Sequence, residues 1–150
     1  QAVLNFNASE NRSVGVPGAG GIASAAEMAM FYQPLVNDGV TLDGTRILKQ
    51  ETIEFATKVR TAHHVDLMGT PVSRGLSIVI AGDDGNAHLR GFGRVASPRT
   101  FGHGGAGGQL AWGDPVSGIS LGYVTNGFVD LQTLGRRATA ISSLAANCAL

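Results

Sequence analysis

Phe101-Gly102-His103-Gly104-Gly105-Ala106-Gly107-Gly108-Gln109-Leu110-Ala111-Trp112-Gly113-Asp114-Pro115-Val116-Ser117-Gly118-Ile119-Ser120-Leu121-Gly122-Tyr123-Val124-Thr125-Asn126 decides the fold. Thr100 to Gly113 and Ile119 to Asn126 read as two strands joined by Asp114–Gly118, whose turn chemistry favours an antiparallel hairpin. A histidine followed by two glycines stands at the start of the first strand. Glycines there leave backbone N–H groups bare, so a ligand can approach the strand edge closely. Acyl-transfer sites hold a developing oxyanion with such groups.

Upstream, Ser24 with Glu27 three residues on fits a capping box that opens a helix. Ala25, Met28, Ala29, Tyr32 and Leu35 then share one face. Pro34 should kink or end that helix before Asn37-Asp38-Gly39 closes the segment. A second helix is predicted from Gln50 to about Lys58, with Ile53 and Ala56 turned inward and Phe55 a further candidate. Gly75 to Ile80 is a strand candidate, since β-branched residues dominate it. Residues 1–21 read as an extended entry loop, and residues 82–99 as a long surface excursion without periodicity. Leu131, Leu134, Ala138, Ile141 and Leu144 recur at spacings of three and four, predicting a C-terminal helix with one apolar face. That order of elements predicts an α+β fold, an antiparallel sheet flanked by helices.

The 150 residues are 43% hydrophobic and 15% charged, which fits a folded domain and excludes disorder. Eleven basic and eleven acidic residues cancel, and Arg136-Arg137 is the longest basic run. That run reads as a solvated helix face, so nucleic acid is not expected as a partner. No apolar run approaches the roughly 20 residues of a membrane span. Cys148 stands alone and can form no internal disulfide. The 22 glycines cluster at 15–21, 82–93 and 102–108, marking loops led by backbone conformation. The chain opens with Gln1 and shows no targeting segment, so localisation is not read from it.

Gly102 to Gly107 satisfies G-x-G-x-x-G, and Gly91 to Ala96 its looser form. Dinucleotide binding needs a strand before the motif and a helix opening from it, whereas a strand follows here. His63-His64 would point to opposite faces of a strand and rarely chelate one ion. Asp83-Asp84-Gly85-Asn86 lacks the alternating carboxylates and distal Glu of a calcium loop. No metal or organic cofactor is expected. No G-x-S-x-G occurs, no serine precedes a lysine by three positions, and no Tyr-x-Asn is present. The chain itself offers no activated nucleophile. Trp112 reads as a core residue, Tyr123 as packed on the sheet, Asn126 as a strand-end cap, and Met28 and Met30 as core filler.

Phe101 to Asn126 resembles the third motif of serine β-lactamase-like hydrolases, a group that includes class C β-lactamases, penicillin-binding-protein-like carboxylesterases and D-amino-acid peptidases. Pro17-Gly18-Ala19-Gly20-Gly21-Ile22-Ala23-Ser24 with its helix, Gly75-Leu76-Ser77-Ile78 and the long final helix resemble that group in the same order. The resemblance implies an α/β/α sandwich of which residues 1–150 are the C-terminal portion of a single domain. It places Ser-x-x-Lys and Tyr-x-Asn on an N-terminal portion absent from this chain, the expected partner. It also implies a serine hydrolase of carboxylesterase type, working through an acyl-enzyme on a small ester. His103 takes the first motif position, lining the pocket opposite the nucleophile. Gly104 and Gly105 take the second and third, against substrate, and Ala106 N–H becomes one of two oxyanion donors. Where the group carries Lys-Thr-Gly, a lysine ammonium grips a substrate carboxylate; His-Gly-Gly here favours an ester without one. The alternatives are a non-catalytic scaffold subunit of the same fold, and a D-amino-acid peptidase, amidase or β-lactamase.

Overall fold

The computed structural model describes residues 6, 8–14, 16, 18–61 and 63–149. In chain order the elements are α1 (Ser9–Arg12), α2 (Ala25–Val36), α3 (Gln50–Thr57), β1 (Val79–Ile80), a 3₁₀ helix (Ala87–Arg90), β2 (Phe101–Gly104), β3 (Leu110–Asp114), β4 (Ile119–Tyr123) and α4 (Leu131–Ala146). The strands form one antiparallel sheet in the order β1-β2-β3-β4. Among the described strands β4 pairs with β3 alone. The expected entry loop contains the helical turn α1; residues 1–5, 7, 15 and 17 of that segment lie outside the described residues.

Ser24 starts α2 as expected. Its Oγ accepts the Glu27 N–H at 3.2 Å, while a Glu27 carboxylate oxygen accepts the Ser24 N–H at 2.7 Å. Pro34 is carried in the last turn, and the helix stops at Val36. The chain then reverses through Asp38 and Gly39, at φ 50° and 85°. Tyr32 and Val36 pack onto Ile80, Phe101 and Ala111, with Met28 and Leu35 beside them. Two sheet glycines set the distance of approach. A methyl at Gly122 would overlap the Ala25 carbonyl, and one at Gly113 would overlap Val36.

On the opposite face Ala81, Phe92, Leu110 and Trp112 meet Ala138, Ala145 and Ala146 of α4. Helices on both faces make the sheet the middle layer of an α/β/α sandwich, the expected architecture. The docked stripe of α4 differs from the expected one. It runs through Ala138, Ser142 and Ala145, whereas Leu131 and Leu144 are exposed. Close packing at Gly93, where any Cβ would strike the Ser142–Ser143 backbone, selects small residues on that stripe. Asp130 caps the helix, accepting the Thr133 N–H at 2.9 Å.

Other expectations are revised. Thr100 to Gly113 is two strands, because residues 105–109 turn back on themselves. The Gly75–Ile80 strand shortens to Val79–Ile80, since Ser77 sits at φ 55° and residues 75–77 bend. Residues 82–99 are not all surface: they contain the 3₁₀ helix and bury Phe92 in the core. Ile53 and Ala56 are half-buried as expected, but Phe55 is exposed, with the Arg60 guanidinium over its ring. Met28 fills core space and Met30 does not, being exposed beside Leu42.

Candidate functional site

His103 and Gly104 end β2 rather than begin a strand, and the turn that follows leads into β3. Alternation along β2 sends Phe101 and His103 to one face and Gly102 to the other. Phe101 is buried under α2, whereas His103, beyond the helix, is exposed. Gly102 is confined by its neighbour strand, since a side chain there would strike Trp112.

The turn is closed by two bonds: Gly108 N–H to the Gly105 carbonyl at 2.9 Å, and Gly105 N–H to the Gln109 carbonyl at 2.7 Å. Residues 105–108 therefore form a β-turn with Ala106 and Gly107 at its corner. Corner N–H groups of such a turn have no partner inside it. Ala106 is exposed, and its N–H donates to nothing among the described residues. Gly108 has φ 89°, and a side chain there would overlap the Arg137 guanidinium. At Gly105 a methyl would press on Gln109 Oε1 at 2.9 Å. A methyl at Gly104 would meet only the Gln109 carbonyl oxygen, at an ordinary contact of 3.8 Å. The strand end is thus lightly covered at Gly104, on the face opposite His103.

His103 Nδ1 lies 2.6 Å from the Gly104 carbonyl, which only an N–H at that nitrogen can satisfy. That tautomer leaves the Nε2 lone pair outward, 3.5 Å from Arg74 Nη1. Arg74 bridges Val79 of β1, so its side chain reaches across the sheet to the end of β2. From the other side Arg137 of α4 approaches the Gly107 carbonyl at 3.5 Å and stands 5.8 Å from the Tyr123 ring. Gln109 Nε2 ties the turn to the Thr125 carbonyl at 3.4 Å.

The sequence reading missed Arg74 altogether and treated Arg137 as solvated helix surface; Arg137 is half-buried against the turn. Only the shape of the strand–turn–strand unit brings these cations to it. The G-x-G-x-x-G match at Gly102–Gly107 sits in a β-hairpin, not between a strand and a helix. His63 and His64 are exposed. Asp84 is more than a solvated loop residue, pairing with Arg90. A groove of about 310 Å³ lies between α3 and the Phe101 end of β2, away from these residues. Among the described residues no helix is long and apolar enough to cross a membrane.

The β-lactamase family model matches residues 2–146. Esterase/beta-lactamase LipL of Mycobacterium tuberculosis is 30% identical over 139 residues, covering 83% of this chain and 29% of LipL. A penicillin-binding-protein homologue of Caulobacter crescentus superposes with a TM-score of 0.62 at 28% identity, over 79% of this chain and 31% of that one. A family VIII carboxylesterase superposes with a TM-score of 0.65 at 26% identity, over 91% of this chain and 36% of that one. The chain spans about a third of the length of such relatives. With its three-layer sandwich and its family match from end to end, the chain belongs to the β-lactamase family.

Proposed function

We propose that residues 1–150 are the C-terminal portion of a single β-lactamase-fold hydrolase domain, acting as a carboxylesterase through an acyl-enzyme. The observation that carries this reading is the unpartnered, exposed Ala106 N–H directly after the His103–Gly105 strand end. A serine on the N-terminal portion attacks the ester carbonyl, and the carbonyl oxygen becomes an oxyanion that accepts the Ala106 N–H. Collapse of that intermediate expels the alcohol and leaves the acyl group on the serine. Water then attacks the acyl-enzyme and releases the acid. His103 lines the pocket opposite the nucleophile, and Gly104 and Gly105 keep the strand end bare for substrate. One relative is named an esterase/beta-lactamase and another a carboxylesterase, which supports ester hydrolysis as one chemistry of the fold.

One observation favours a second reading. The chain holds no Ser-x-x-Lys and no Tyr-x-Asn, and a companion portion that also lacked them would make the assembly a non-catalytic scaffold of the same fold. A fluorophosphonate probe with intact-mass readout tests both. Covalent labelling of the companion portion supports the hydrolase, and an unlabelled complex supports the scaffold. Comparing p-nitrophenyl esters with D-amino-acid amides and a β-lactam then separates esterase from peptidase or β-lactamase.

A further inference from the structure

We propose that the turn around Leu67 and Met68 anchors the protein to an anionic lipid surface, with both side chains inserted among the headgroups. This role stands apart from the hydrolase reading above and needs none of its chemistry. Leu67 is 105% exposed and Met68 89%, the two most exposed large apolar side chains among the described residues. A single exposed leucine is ordinary, but here two such residues adjoin, with Val65 exposed beside them. The backbone that presents them is tightly bonded. Arg60 N–H donates to the Arg74 carbonyl at 2.8 Å, Val72 N–H donates to the His64 carbonyl at 2.8 Å, and Val65 bridges Pro71. At the tip Asp66 N–H donates to the Thr70 carbonyl at 2.9 Å, and the Asp66 carbonyl accepts the Gly69 N–H at 3.0 Å. One Asp66 carboxylate oxygen also accepts the N–H groups of Met68 at 2.8 Å and Thr70 at 2.9 Å. Arg90, paired with Asp84, donates to the Pro71 carbonyl at 2.7 Å and braces the returning limb. A tip ordered before it binds loses little entropy on insertion.

Charge and area select the occupant. The Asp66 carboxylate is occupied by backbone N–H groups, and residues 58–74 otherwise carry Lys58, Arg60 and Arg74. None of the three cations is in an ion pair among the described residues, in a chain whose net charge is zero. An apolar tip in a basic segment suits an acidic bilayer, where buried apolar area and attraction to the headgroups act together. A folded partner fits less well. Two side chains offer roughly 100 Å² each, far short of the about 800 Å² that each side brings to a stable protein interface. The arm meets the sheet where Arg74 bridges Val79 of β1, at the edge opposite β4, so a segment pairing with β4 would not cover it. Six residues separate Met68 from Arg74, whose guanidinium lies 3.5 Å from His103 Nε2. A tip held in lipid therefore keeps the candidate site within about 20 Å of the tip along the chain, plus the reach of one side chain.

The test uses the whole polypeptide that carries this chain, sedimented with vesicles of phosphatidylglycerol and phosphatidylcholine in equal parts, and with phosphatidylcholine alone. Binding to the acidic vesicles is expected, weaker on the neutral ones and weaker in high salt. Leu67→Ser combined with Met68→Ser should weaken it at least about tenfold at an unchanged melting temperature. Leu67→Trp should bind like wild type, and its added emission should shift to the blue as acidic vesicles are titrated in. Absence of binding to acidic vesicles overturns the proposal. Binding that the serine pair leaves unchanged overturns it too; a fall in melting temperature would then assign the tip to the companion portion, and loss of a dimer would assign it to a second copy. Should the serine pair unfold the protein, the Leu67→Trp emission decides: a blue shift supports the anchor, and an unchanged spectrum overturns it. No outcome depends on ester turnover, so the hydrolase reading stands or falls separately by the fluorophosphonate label.

Discussion

Trp112 Nε1 donates to Ser142 Oγ at 3.0 Å, and the Ser142 hydroxyl donates onward to the Gly91 carbonyl at 3.0 Å. The relay is buried and joins β3, α4 and the end of the 3₁₀ helix. Ser142→Ala would strand the indole N–H in the core, at a cost of about 1–3 kcal/mol. Adding Trp112→Phe to that variant removes the stranded donor and should cost less than the two single changes summed. Thermal melts of the four proteins give the coupling, and strict additivity would refute the relay.

The Ala106 N–H is tested without disturbing the turn. Proline suits the first corner of a β-turn, so Ala106→Pro deletes one donor and little else. Ester hydrolysis in the assembled protein should fall about 10²–10³-fold. Unchanged turnover would show that the oxyanion lies elsewhere.

Gly122 and Gly135 should respond in opposite directions to alanine. At Gly122 the new methyl meets the Ala25 backbone, so α2 must shift, at about 1–3 kcal/mol. At Gly135, inside α4, it meets nothing, and better helix propensity should stabilise by about 0.5–1 kcal/mol. Equal melting temperatures for the two variants would refute the close contact at Gly122.

Asp84 makes stability depend on acid. Hydrogen bonds from the Arg90 guanidinium hold its carboxyl well below the usual carboxylate range. A folded-state pKa below the unfolded one favours folding while the group is ionised. The contribution is complete above the unfolded value of about 3.9 and is lost as pH falls towards the folded one. The carboxylate is 35% exposed, so screening limits the effect to about 1 kcal/mol. Chemical denaturation below about pH 4 should therefore weaken wild type more than Asp84→Asn. Parallel acid curves would show that the pair contributes nothing.

Much of this was legible in the sequence where local chemistry decides structure. Ser24 and Glu27 form their reciprocal cap from side chains three residues apart, and no distant contact is needed. Asp114–Gly118 turns because Asp114 can accept the Val116 N–H and Gly118 can take φ 74°. What stayed hidden depends on partners far along the chain. The glycines after His103 carry no propensity, so nothing local distinguishes a turn at 105–108 from continued strand. On α4 the expected stripe holds at Ala138 but not at Leu131 and Leu144, because Gly93 and Trp112 demand small residues rather than large ones. Arg74 precedes a strand by five residues and reaches the site through a guanidinium, a relationship no spacing rule encodes.

Among the described residues no strand pairs with the outer side of β4, and this has a consequence for how the molecule can be handled. The turn at 105–108 joins β2 to β3, so a segment zipping onto β4 would complete the sheet without touching it. Were the proposed companion portion supplied as a separate polypeptide, the two pieces would meet in a second-order encounter. On the proposed reading, turnover would then start with a lag that shortens as either piece is concentrated. If the proposed hydrolase reading holds, a protein divided in this way reports proximity: fused to two other molecules, its pieces would light up an ester dye only where those molecules meet.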